Sequence, residues 1–198
     1  PGERSGHPLV QGLHAEVPEP PVGRPGQTPS GHSRGAEPVR AREARGAAPE
    51  SSVLQKKLVG TADAVKQALP ALAGFSGITV ILYGDTPLLE KKTIAALVQR
   101  HRETRAAATI LTARLEDSFG YGRIVRDTRG SICGIREEKD ADAFQKEIKE
   151  INTGFMCFDT RLLKETLRKV RPNNRKKEYY LTDCIGLLYL AGYSIEHV

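Results

Sequence analysis

Apolar positions along this chain fall into two regimes, and from residue 60 onward they repeat with the periods of regular structure. In "GTADAVKQALPAL" (60–72), Ala64, Val65, Ala68 and Leu69 recur at helical spacing, with Thr61 as the expected N-cap and Asp63 in the first turn. "ITVILY" (78–83) is a continuous, β-branched apolar run, the pattern of a strand covered on both faces. Residues 90–103 read as a helix with Ile94, Leu97 and Val98 inward, and 108–115 as a second strand. "GRIVRD" and "SICGIRE" flank Arg129-Gly130 as a β-hairpin, followed by a short polar helix in "DAFQKEIK". "TGFMCF" reads as a strand, "RLLKETLRKV" and "YLTDCIGLLYLAGY" as helices, and "SIEHV" opens a further strand. Strands alternating with helices predict an α/β fold of right-handed βαβ units, with a mostly parallel sheet and the hairpin as an insertion.

Before residue 52 the pattern is different. Residues 1–50 hold nine of the twelve prolines and no Phe, Tyr, Ile, Lys or Asp. "VPEPPVGRPGQTPSGHSRG" follows neither the 3.6 nor the 2.0 period, and such a composition buries too little apolar surface to offset its chain entropy. Residues 1–52 are therefore expected to be a disordered segment, and 53–198 a folded domain. Two readings of the segment stand: a flexible Pro/Gly-rich arm, or a high-GC message read in a shifted frame.

Charge alters little. The formal net charge of +6 lies wholly after residue 50, because six Arg balance six Glu before it. The basic run "LRKVRPNNRKK" (167–177) has no interleaved aromatics, which argues against nucleic acid. No stretch of eighteen apolar residues is present, so no membrane-spanning helix is expected, and no secretory signal is visible. Cys133, Cys157 and Cys184 lack zinc-site spacing and read as reduced thiols of a cytoplasmic protein.

Candidate chemistry begins at Asp85, directly after the apolar run 78–83. In open α/β sheets ligands bind outside the carboxyl ends of the strands. A carboxylate there either holds Mg2+ against a phosphate or caps the next loop, and Gly84 lets a ligand approach the backbone. "QKKLVGTADAV" (55–65) offers Gln55, whose amide suits a nucleobase edge, and a Gly-Thr pair before a helix. Taken alone, that stretch is better explained by an ordinary helix cap. Gly122 in "FGYGRIVRD" leaves room for a sugar ring or serves a turn. Glu137 in "GIREEKDA", Asn152 in "KEINTGF" and Thr182 in "KKEYYLTD" add polar groups, each weak alone.

Taken in order, "VLQKKLVGTADAVKQALPAL", "VILYGDTPLL", "FGYGRIVRD…GSICGIREEKDA", "EINTGFMCFD" and "KEYYLTDCIGLLYLAGYSI" resemble the bacterial N-acetylglucosamine-1-phosphate uridyltransferase domain, the first half of the bifunctional GlmU-type enzymes. The resemblance covers residues 53–198. It implies a Rossmann-like (GT-A-like) nucleotidyltransferase fold and attack of the sugar 1-phosphate on the α-phosphorus of UTP, giving UDP-N-acetylglucosamine, a cell-wall precursor, and pyrophosphate. It also implies that Gln55, Gly60 and Thr61 contact uracil, that Tyr83, Gly84 and Asp85 line the nucleotide, and that Asp85 holds Mg2+. Gly122, Glu137 and Asn152 would then bind the N-acetylglucosamine portion, with Thr182 near the sugar phosphate.

The family opens with a first strand and a glycine-rich L-x-A-G-x-G-T-R-M loop, for which this sequence has no counterpart. The trimer-forming β-helix half is also absent. A domain truncated at both ends, with little turnover, an unpaired strand edge and a monomeric or aggregation-prone state, is the expectation. Transfer to another sugar phosphate, or UDP-sugar binding without catalysis, are the alternatives.

Overall fold

The computed structural model of the protein describes residues 13–15, 53–83 and 89–198. Seven strands, β1 (Leu13–Ala15), β2 (Ile78–Ile81), β3 (Ala108–Arg114), β4 (Gly122–Arg126), β5 (Ile132–Arg136), β6 (Glu150–Asp159) and β7 (Ile195–His197), form one sheet. Among the described residues five α-helices accompany them: α1 (Thr61–Ala68), α2 (Lys91–Thr104), α3 (Ala143–Lys146), α4 (Thr160–Leu167) and α5 (Asp183–Leu190).

The predicted elements all appear, with informative changes at their ends. The first helix stops being α-helical at Ala68 and finishes as a 3-10 turn over Leu69–Leu72. Pro70, which has no N–H to donate, sits in that turn. Its N-cap is Gly60 rather than Thr61. The Thr61 hydroxyl instead accepts the backbone N–H of Leu181 at 2.9 Å, so a tertiary partner replaces the expected cap.

The strand order is β1-β2-β6-β3-β7, with β4 also on β6 and β5 on β4. The sheet is mixed: β6 runs antiparallel to β2, β3 and β4, and β3 with β7 is the parallel pair among the described ladders. β2, β3 and β7 nevertheless point the same way, as βαβ units require. The parallel character expected from the sequence thus resides in strand directions, and β6 is inserted between β2 and β3.

The β2 run is covered on both faces. Ile81, Met156 and Phe158 pack with Val65, Leu163, Ile185 and Leu188 on the side of α1, α4 and α5. Val80 and Cys157 pack with Leu97 of α2 on the other. Alternating residues of β2 and β6 therefore serve two cores, which is why "ITVILY" has no polar face. His101 of α2 is also buried, with Nδ1 2.9 Å from the Thr109 hydroxyl, and burial pushes its pKa down.

β1 lies inside the segment read as having no regular element. It pairs antiparallel with β2, Leu13 opposite Ile81 and Ala15 opposite Thr79. The edge expected to be unpaired thus carries a three-residue strand. A sheet edge offers a row of free N–H and C=O groups, which an extended segment satisfies through its backbone whatever its composition.

Candidate active site

Three groups of candidate residues converge, each by a different local device. The first is the loop before α1. Gly60 has φ 119°, a region glycine enters freely, and a Cβ there would overlap the Tyr179 backbone. Tyr179 N–H donates to the Val59 carbonyl at 2.8 Å and Ala62 N–H to the Tyr179 carbonyl at 2.9 Å. With the Thr61–Leu181 bond, these stitch residues 59–62 to 179–181. The Gln55 Nε2 donates to the Gly60 carbonyl at 3.1 Å and to the Asp63 carboxylate at 2.8 Å. Both partners are acceptors, so the amide orientation is set and its carbonyl oxygen is the group left for a ligand.

The second group sits at the mouth of the β4–β5 hairpin. A Cβ on Gly122 would lie 3.0 Å from Ile135 Cγ2 and 3.4 Å from Glu137 Oε2, so the glycine opens the space in front of that carboxylate. Thr182 occupies the N-cap position of α5, yet its hydroxyl makes no cap. It donates to Glu137 Oε1 at 2.8 Å. Burial pushes the Glu137 pKa up. The Thr182 bond and Lys176 oppose that shift, while Asp140 and Glu178 add to it.

The third group is on β6. The β3–β6 register slips between Ile110/Met156 and Thr112/Asn152, so three β6 residues face Leu111 alone. This bulge, Thr153–Phe155, has Gly154 at φ 91°. The Asn152 Oδ1 accepts the Gly154 N–H at 2.9 Å, which leaves the Asn152 NH2 as a donor. A Cβ on Gly154 would overlap the Tyr83 ring.

The ladders join these groups. β3 takes one edge of β6 along its length. On the other edge β2 pairs with Met156–Asp159 and β4 with Ile151–Asn152. Between β2 and β4 no described strand is laddered to that edge, and the bulge lies in this gap with the Tyr83 ring against Gly154. Gly122 pairs with Asn152, Glu137 with Thr182, and residues 179–181 lead to Gly60. Gly84 and Asp85, which follow Tyr83 in the sequence, lie outside the described residues.

A sequence model of the nucleotidyl transferase family matches residues 37–194. The chain belongs to the nucleotidyl transferase family. The match begins sixteen residues before the composition break at 53. Among curated relatives, the bifunctional protein GlmU of Pelotomaculum thermopropionicum is 48% identical over 161 residues, 81% of this chain and 35% of that protein. Its counterpart in Brevibacillus brevis is 47% identical over 158 residues, 80% of this chain and 34% of the relative. That of Geobacillus thermodenitrificans is 50% identical over 139 residues, 70% of this chain and 30% of the relative. The chain spans about a third of the length of these relatives.

The paired tyrosines of "KKEYYLTD" are a weak signal in the sequence, and the structure gives each a place beside the candidate residues. Tyr179 supplies the backbone that anchors Gly60, and the buried Tyr180 hydroxyl has no hydrogen-bond partner. Burial and the carboxylates of Asp140, Glu178, Glu137 and Asp183 raise the Tyr180 pKa. The doubled aromatic just before the apolar helix α5 was the available signal. Elsewhere, a cavity of about 440 Å3 lies between the hairpin tip, the end of α5 and β7. No candidate nucleotidyl transferase residue lines it, and Arg126, Tyr189 and Glu196 on its wall are already bound to Glu150, Asp127 and Arg100. No helix among the described residues is long and apolar enough to cross a membrane.

Proposed function

We propose that this chain carries the uridine- and sugar-binding part of an enzyme that joins UTP to N-acetylglucosamine 1-phosphate, forming UDP-N-acetylglucosamine and pyrophosphate in the cytoplasm. The observation that carries the reading is the stretch of β6 between its β2 and β4 ladders, flanked by Gly122, Glu137, Asn152 and Thr182 on one side and by Tyr83 on the other. Such a gap suits a polyhydroxylated ring: the Glu137 carboxylate accepts from hydroxyls, and the Asn152 NH2 donates to a carbonyl or hydroxyl.

In this reading Gln55 selects the base. Its free carbonyl oxygen accepts from the N3–H of uracil, whereas cytosine offers an acceptor at that position. Tyr83 and Gly84 line the nucleotide, and Thr61 holds the base loop against the 179–182 segment. The sugar phosphate oxygen attacks the α-phosphorus and pyrophosphate leaves, so the protein acts mainly by positioning. Asp85 would hold Mg2+. No group of three or more metal-ligating side chains is gathered among the described residues. A single carboxylate with the remaining positions filled by substrate phosphates fits the way this ion is usually bound. When bound there, the ion neutralises phosphate charge.

Residues 1–198 are proposed to bind UDP-N-acetylglucosamine with little turnover, since no glycine-rich phosphate loop occurs in this sequence. Calorimetry with UDP-N-acetylglucosamine, UDP and CDP, together with pyrophosphate release from UTP and N-acetylglucosamine 1-phosphate, tests it. Binding of UDP-N-acetylglucosamine above UDP, and UDP above CDP, is expected. Equal binding of the two diphosphates would sink the assignment of Gln55, and no binding at all would sink the substrate.

A further inference from the structure

We infer that Arg123, through Glu138, is a positioning residue that sets the width of the sugar-binding gap. The inference rests on the uridyltransferase reading above and extends it to two residues that do not line the gap. Arg123 is 2% exposed, an unusual setting for a guanidinium on a strand between Gly122 and Ile124. Its Nη2 lies 2.7 Å from Glu138 Oε2, its Nη1 donates to the Tyr121 carbonyl, and its Nε is buried with no partner. Glu138 Oε2 also accepts the Gly120 N–H at 3.2 Å.

These contacts close a ring. The Tyr121 carbonyl belongs to the peptide that leads into Gly122, and Glu138 directly follows Glu137. The guanidinium therefore clamps the backbone entering Gly122 to the backbone leaving Glu137, and the Gly120 bond adds a second tie. Gly122 and Glu137 form the narrow side of the gap, with 3.4 Å from a Cβ position on one to the carboxylate of the other. Burial pushes the Glu138 carboxyl up, but the bonds from Arg123 and Gly120 outweigh it and hold the pKa below the ordinary range.

Buried ion pairs are poor sources of stability, because a well-packed apolar pair of similar volume often does as well or better. What an apolar pair does not supply is the fork geometry that fixes a carbonyl and a carboxylate at once. The pair's role is therefore geometric, and it is separable from folding.

The test uses the full chain in three forms: unmodified, Arg123→Met, and the double variant Arg123→Met/Glu138→Met, in which no buried charge is left unpaired and only the half-exposed Lys146, 3.9 Å from Glu138, loses a partner. Calorimetry measures UDP and UDP-N-acetylglucosamine, and urea unfolding reports stability. The expected result is that the double variant unfolds like the unmodified chain and binds UDP within twofold, while its preference for UDP-N-acetylglucosamine over UDP falls at least tenfold. Arg123→Met alone is expected to lose both stability and that preference. A double variant that keeps the sugar preference overturns the inference, and so does one that loses UDP binding in equal measure. An unmodified chain with no preference for the sugar nucleotide overturns the uridyltransferase reading itself.

Discussion

The Thr182 hydroxyl donates to Glu137 at 2.8 Å from the one position of α5 where a threonine would ordinarily cap its own helix. A helix end has given up local stability to hold a carboxylate at the hairpin mouth. Thr182→Val removes the donor and leaves the carboxylate buried. Stability is expected to fall by about 1–2 kcal/mol in urea unfolding at pH 7, with UDP-N-acetylglucosamine affinity reduced and UDP affinity kept.

Glu137 and Glu150 should give opposite pH signatures. Burial raises the Glu137 pKa above its ordinary 4.5, so its contribution is fully present below pH 4.5 and is lost as pH rises through the folded value. Glu137→Gln should therefore be the more stable form at neutral pH and equal to the unmodified chain near pH 4, while losing the sugar preference. Unfolding at both pH values checks it, and a variant less stable at pH 7 would contradict the burial argument.

Glu150 is held low first by its hydrogen bond from Arg126, at 2.7 and 2.9 Å, so its contribution is present above pH 4.5 and disappears as pH falls. Arg126→Met should cost about 1 kcal/mol at pH 7 and progressively less on acidification. A cost unchanged at pH 3 would exclude the ion pair as its origin.

Gly154→Ala combines a positive φ with overlap on the Tyr83 ring. The expected loss is at least about 2 kcal/mol. Adding Tyr83→Ala should restore only the part due to overlap, since the backbone strain remains, and urea melts of the single and double variants separate the two.

At Gly60 the obstacle is backbone, not side chain, so no second substitution can relieve it. Gly60→Ala is expected to part the base loop from Tyr179 and abolish UMP binding. UMP titration of a variant that retains its circular dichroism spectrum checks this.

Much of this was legible in the sequence because it depends on local chemistry. The run 78–83 announced a two-sided strand, Gly122 stood out as space for a ring or a turn, and Glu137, Asn152 and Thr182 as polar groups. Their meeting was not legible. Asn152 reaches Gly122 through a ladder, Glu137 reaches Thr182 across 45 residues, and neither separation has a sequence period. Thr61 was misread as a cap because capping chemistry is identical whether the partner is its own helix or Leu181. The mixed sheet was hidden because a buried antiparallel strand such as β6 has the same apolar pattern as a parallel one. Arg123 was passed over because an arginine on a strand ordinarily faces water.

The bulge in β6 has a mechanical meaning. At Thr153–Phe155 no described strand is laddered to one edge of β6, and the Gly154 and Phe155 amides turn to the Asn152 and Thr153 side chains. Across that point β2 and the hairpin are held together by β3 on the opposite edge of β6 and by the ties of residues 59–62 and Glu137 to 179–182. The bulge is therefore where the β6 amides lean on local side chains rather than on a ladder, and hydrogen exchange at those two amides would report how readily it opens.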